Sequence, residues 1–170
     1  ASANKPARKA PKNYAALQAE LAKKCPVAEG ANNIEQKEAF AKSIECLKKK
    51  MNGDLDAVLL PLKASEPAKY SSLMKEQAEW NRAIDKACAL EEERMWVDFA
   101  TGQRDDGTYR GYTYMGCYSQ AYTERTMYAR SLGAGKIGPL VKHIEETQKT
   151  GAEVKDAIAY LKAVVNPSDE

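Results

Sequence analysis

The chain has 170 residues, 29% of them charged, and a formal net charge of +2. That length suits one domain with a real core, and the near-balanced charge gives no field of the kind that gathers nucleic acid. No apolar run approaches the roughly 18 residues that a membrane span needs.

The longest purely apolar stretch, 57–60, is too short even for a signal-peptide core. An exported form would already have shed its signal, and the Ala1-Ser2-Ala3 start fits a small-residue cleavage site as well as a cloning remnant. Residues 1–12 carry Lys5, Arg8, Lys9 and Lys12 between Pro6 and Pro11, with no acid. They read as a disordered basic tail, with too few charges to hold an anionic surface firmly. Tyr14, Leu17 and Leu21 recur at helical spacing and predict a short first helix. Residues 26–33 contain Pro, Gly and Asn and read as a loop. Asn33 then caps a second helix whose apolar face runs Phe40, Ile44, Leu47, Met51, Leu55, Val58 and Leu62. Gly53 weakens that helix by roughly 1 kcal/mol relative to Ala, and Pro61 should kink or end it.

Ser65-Glu66-Pro67 signals a new start, with Ser65 as cap and proline in the first turn. The longest helix follows, to about Phe99, with Leu73, Trp80, Ile84, Ala87, Cys88 and Met95 as its stripe. Gln77 interrupts that stripe and needs a polar partner. Residues 101–116 break the pattern with four glycines, two arginines and three tyrosines; the second half can already open the next helix. That helix runs to about Leu132, with Cys117, Ala121, Arg125, Tyr128 and Leu132 on one side. After a glycine-rich hinge at 133–138, one short helix carries Ile137, Leu140, Val141 and Ile144. A second, after Gly151, carries Val154, Ile158, Leu161 and Val165, and 166–170 frays. No stretch alternates as a strand does. The fold expected is all-α: a disulfide-stapled bundle of about five to six helices joined by mostly short connections. Its main body is 13–133, with 134–170 as an added helical hairpin packed on it.

Cys25, Cys46, Cys88 and Cys117 form an even set with no CxxC pair, which fits two disulfides better than a redox motif or a zinc site. Four cysteines allow three connectivities. Sequential pairing, 25–46 with 88–117, ties the first helix to the second and clamps the glycine-rich segment, and each bridge is worth roughly 3 to 3.5 kcal/mol. Disulfides imply an oxidising compartment, hence a periplasmic or secreted protein.

Catalytic signatures are not apparent. His143 is the one histidine, beside Lys142 on a short helix, where a lone His is more often a surface residue than a base. Gly133-Ala134-Gly135-Lys136 resembles part of a phosphate loop but follows a helix. With no such signature no enzyme activity or cofactor is expected, and no metal either, because oxidised cysteines do not ligate.

From Gln77 to Arg125 the chain resembles the LprI-type lysozyme inhibitor family of exported bacterial proteins. The residues concerned are Gln77, Trp80, Asp85 and Cys88, in the order Q-x2-W-x4-D-x2-C, followed by Cys117 and Arg125. Upstream, Cys46, Asp54 and Leu55 are similar to the family's cysteine and the D-x-x-L-N stretch after it. The match covers about 46–132. Departures are Ile84 where the family often has Arg, Thr123 one residue late, Asp56 in place of Asn, and a long Cys25–Cys46 spacing. The resemblance implies an exported helical domain held by disulfides, and an inhibitor or binding module for lysozyme or a related glycosidase; the fold transfers better than the activity. The alternative is an accessory protein of an envelope or secretion assembly.

Among the matched residues, Trp80 reads as the central core plug, and Asp85 with Arg125 as a partly buried ion pair fixing helix register. Partner binding is assigned to the segment between Cys88 and Cys117. Arg104 and Arg110, flanked by Tyr109, Tyr112 and Tyr114, are residue types that dominate protein interfaces, and an arginine there could enter the cleft between a glycosidase's two carboxylates.

Overall fold

The computed structural model describes residues 8–96, 98, 100–103, 110–147 and 158–163, without the side chains of Arg94 and Arg110. The helix α1 (Tyr14–Lys24) starts where the Asn13 side chain accepts from the Ala16 amide, and buries Leu17 and Leu21. Its last turn carries Lys23 and Lys24, which favour the negative end of the helix dipole. The loop that follows is held by Gln36, whose side chain accepts from the Gly30 amide at 3.0 Å and donates to the Ala28 carbonyl at 3.2 Å. A Cβ on Gly30 would stand 2.4 Å from the Gln36 backbone nitrogen, so only glycine allows this approach.

The helix α2 (Asn33–Ser65) spans 33 residues, about 50 Å at the helical rise. Its cap is Asn32, one residue before the expected Asn33, and the Asn32 side chain accepts from the amides of Ile34 and Glu35. Pro61 lies inside α2, which ends four residues later. Ser65 does not cap the next helix: its hydroxyl donates to the Pro61 carbonyl at 3.1 Å. Glu66 separates the two helices, and α3 (Pro67–Trp96) opens on proline, whose absent N–H costs nothing at that position. After α3 come α4 (Arg110–Ala134) and α5 (Gly138–Thr147), and residues 158–163 are helical. Gly135, at φ 63°, ends α4. Its amide bonds Leu132 O while the Lys136 amide reaches Ser131 O, the paired bonds of a Schellman termination.

The architecture is all-α, with the disulfides Cys25–Cys46 and Cys88–Cys117. The sequential pairing is the one preferred from sequence. The helix α4 is the hub and touches α1, α2, α3 and α5. The core joins Leu17 and Leu21 to Leu47, Met51, Leu55 and Leu59 of α2, Leu73 of α3 and Met127 of α4, and takes in Leu140 and Leu161 from the C-terminal part. The helix α3 makes its main described contacts with α2 and α4. Its expected stripe is buried only in part: Leu73 and Cys88 are inside, Ala87 and Met95 exposed.

From 121 to 131, every residue of α4 except Glu124 is buried, polar ones included. Thr123 and Thr126 satisfy themselves on their own helix, donating to Ser119 O and Tyr122 O. Arg125 and Arg130 need partners from elsewhere.

Candidate functional site

Arg130 is 4% exposed, and its Nε donates to Asp54 Oδ2 at 2.9 Å while Nη1 bonds Glu20. Arg8 stands 3.6 Å from the other Asp54 oxygen. Burial works against the Arg130 charge, but the two carboxylates more than offset it and raise its pKa. Burial likewise acts to raise Glu20, yet Lys24 and Arg130 hold its carboxyl below the ordinary value. The cluster ties α1, α2 and α4 together inside the bundle. It is architectural.

Arg125 is built differently. Its Nε donates to Gln77 Oε1 at 2.8 Å and its Nη2 bonds Glu76. The guanidinium lies between the Tyr128 ring at 3.8 Å and the Trp80 ring at 5.1 Å. Gln77 thus finds a polar partner across the helix interface. The expected Asp85–Arg125 pair does not form, and the Cys88–Cys117 bridge explains why. It fixes the antiparallel register of α3 on α4, bringing Asp85 opposite Tyr118 and Gln77 opposite Arg125. Arg125 would have to slip about 10 Å, nearly two turns, to reach Asp85. Asp85 instead accepts from the Tyr118 hydroxyl at 2.5 Å. Trp80 is not the central core plug either: it is half-buried at the edge of the core, with one contact to the guanidinium and one to Tyr122 at 6.3 Å.

These contacts belong to a continuous row. Tyr114, Tyr118 and Tyr122 follow at i, i+4, i+8 along α4, with ring centroids 4.9 and 5.6 Å apart. The Tyr114 and Tyr118 hydroxyls stand 3.3 Å apart. Trp80 and the Arg125–Tyr128 sandwich continue the row into a pocket of about 230 Å³, whose lining includes Glu76, Tyr160, Ile144 and Leu161. Tyr114 is 36% and Tyr160 39% exposed, so both ends reach solvent. Burial, then the bond to Asp85, raises the Tyr118 pKa; burial above all raises that of Tyr128. Both hydroxyls stay neutral donors.

Of the partner residues expected from sequence, Arg104 and Tyr109 lie outside the described residues, as does the Arg110 side chain. Tyr112 and Tyr114 sit on the first turns of α4, not on a loop. Gly111 is accommodated there beside the Lys37 side chain, and Trp96 Nε1 donates to Thr113 Oγ1 at 3.2 Å. Tyr112 turns toward α2, edge-on to Phe40 at 6.3 Å with Lys37 Nζ 5.7 Å from its ring. Of the two described members of the expected set, Tyr114 joins the row. Tyr118 and Tyr122 were missed, although their spacing of four from Tyr114 is visible in the sequence. Glu76 carried no such signal.

On the other flank, His143 is not a surface residue. It is 8% exposed, stacked on Tyr14 at 4.0 Å, with Nε2 3.4 Å from Glu124 Oε1. Burial, helped by Glu124, pushes the Tyr14 hydroxyl up to about 12. Among the described residues no group of three or more His, Cys, Asp or Glu is placed to hold a metal, and no helix is long and apolar enough to cross a membrane. No family model, curated protein or solved structure matches this chain.

Proposed function

We propose that this chain is a binding module of an oxidising extracytoplasmic compartment, periplasmic or secreted, that grips a protein partner through the α3–α4 aromatic row. The single observation behind this reading is the row itself: Tyr114, Tyr118, Tyr122 and Trp80 in unbroken ring contact, ending on a buried arginine. Tyr, Trp and Arg carry most of the energy in protein interfaces. The Cys88–Cys117 bridge and the Asp85–Tyr118 bond hold the row in place before a partner arrives, which lowers the entropy cost of binding. The acids beside it, Glu76 and Asp85, favour a basic partner. Together with the LprI-type resemblance, this points to a lysozyme-like glycosidase.

The oxidised chain is expected to inhibit such a lysozyme stoichiometrically. Tyr114→Ala combined with Tyr118→Ala should weaken inhibition by more than tenfold, since hot-spot truncation costs about 2 kcal/mol or more. Arg104→Ala and Arg110→Ala test the neighbouring segment in the same assay. No inhibition at micromolar protein would move the reading to an accessory protein of an envelope assembly.

A further inference from the structure

We propose that the chain carries a second binding site, on the opposite side of α4, that takes a neutral saccharide. A cleft of about 740 Å³ opens between α1, α2, α4 and α5. That is the size of small-ligand sites, which run from about 300 to 1,000 Å³. The cleft exists because α4 presents Gly116, Ser119 and Thr123 there, too small to fill the space to their neighbours.

The lining chooses the ligand. In a chain that is 29% charged, none of the described lining residues is Asp, Glu, Lys or Arg. Among the described lining residues no Asp, Glu, Lys or Arg charge rewards a phosphate, a carboxylate or an ammonium. The polar side chains of Ser119, Gln18 and Gln120 line it together with the apolar ones of Tyr14, Phe40 and Leu47. A pyranose ring is amphipathic in the same way, with hydroxyl edges and C–H faces. Nearly all of the lining comes from helices, whose backbone groups are already paired. An extended peptide therefore finds no main-chain edge to join. One wall is preset: the Tyr14–His143 stack is backed by Glu124, which also accepts from the Gln120 amide at 2.9 Å and so aims that side chain. At about 100° per residue, Gly116, Ser119 and Thr123 face away from Tyr114, Tyr118 and Tyr122. The site is thus independent of the partner reading above.

The test is an NMR titration of the full oxidised chain with tri-N-acetylchitotriose and with maltotriose, and with a hyaluronan tetrasaccharide as the anionic probe. A neutral probe should give saturable shifts at the Gln18 and Gln120 side-chain amides with a dissociation constant near millimolar. The Trp80 and Trp96 indole signals should stay unmoved. Ser119→Phe, which fills the cleft, and Gln18→Ala, an exposed position that does not threaten folding, should each weaken binding by about tenfold. The proposal is overturned if neither neutral sugar saturates, if the anionic probe binds better, if the shifts fall on Trp80, or if Gln18→Ala binds like the parent.

Discussion

Arg130→Met is expected to be the most damaging conservative change in the bundle. The guanidinium is 4% exposed and is the main partner of Asp54, whose side chain is 9% exposed. Without it, Asp54 keeps, among the described residues, Arg8 at 3.6 Å and 31% exposed. Removing one member of a buried pair costs about 3–5 kcal/mol, because the remaining charge is left desolvated. For a chain of this size that lowers the melting temperature by roughly 10 °C. Asp54→Leu should cost less, about 2 kcal/mol, because Arg130 still bonds Glu20, which is 37% exposed and in contact with water. Glu20→Gln should cost under about 1 kcal/mol for the same reason. Arg130→Met with Asp54→Leu replaces both charges by apolar groups of similar volume and should recover most of the loss. The assay is guanidinium unfolding of the oxidised protein followed by tryptophan fluorescence, comparing midpoints at constant slope. If the double variant loses the sum of the two singles within about 0.5 kcal/mol, the residues do not act as a unit and the reasoning fails.

Replacing Cys88 and Cys117 together by alanine opens a loop with a sequence separation of 29 and should cost about 3.5 kcal/mol in the same unfolding assay. It should also blunt binding through the aromatic row, because register is then held by packing alone. Gly30→Ala forces a Cβ to within 2.4 Å of backbone and should destabilise by about 1–3 kcal/mol, read as a lower melting temperature. Stability should fall at both ends of the pH scale. Glu20 has a folded pKa below its ordinary 4.5, so its contribution is present above that value and is lost as pH falls further. Tyr14, Tyr118, Tyr122, Tyr128 and Tyr160 are all raised above 10.0, so theirs is whole below pH 10 and is withdrawn as pH climbs through the folded values. Tyrosinate absorbance should therefore rise together with loss of helix above pH 10. A rise accounting for all nine tyrosines with the helices intact would show those hydroxyls to be solvated.

Legibility in the sequence depended on whether a signal was local. Helix α1, the Pro67 start and the cysteine pairing were readable because caps, prolines and nearest-neighbour bridges act over a few residues. The Asp85–Arg125 expectation failed because opposite charges say nothing about register, and the disulfide had already set it. Helix α4 was the hardest to read. Thr126, Arg130 and Ser131 look like a wet face, yet each is buried: the Thr126 hydroxyl donates to Tyr122 O, the arginine meets Asp54 from 76 residues away, and the Ser131 hydroxyl is enclosed with no hydrogen-bond partner among the described residues. Similarly, Glu124 and Tyr14 turn His143 into a packed residue from two other helices, and its own sequence neighbours carry no trace of that.

The central position of α4 also sets the order in which the molecule can be made. Residues up to 96 emerge from the ribosome as three helices, of which α2 and α3 can meet and α1 can be tied to α2 by Cys25–Cys46, but the α4 side of the core around Leu17, Met51 and Leu73 is missing until 110–134 arrive. Such a nascent chain stays open and adhesive through most of its synthesis, with long-range contacts that form only late. A holdase would find its longest window on this protein before the fourth helix is translated, and a truncation just short of it should yield aggregates, not a smaller bundle.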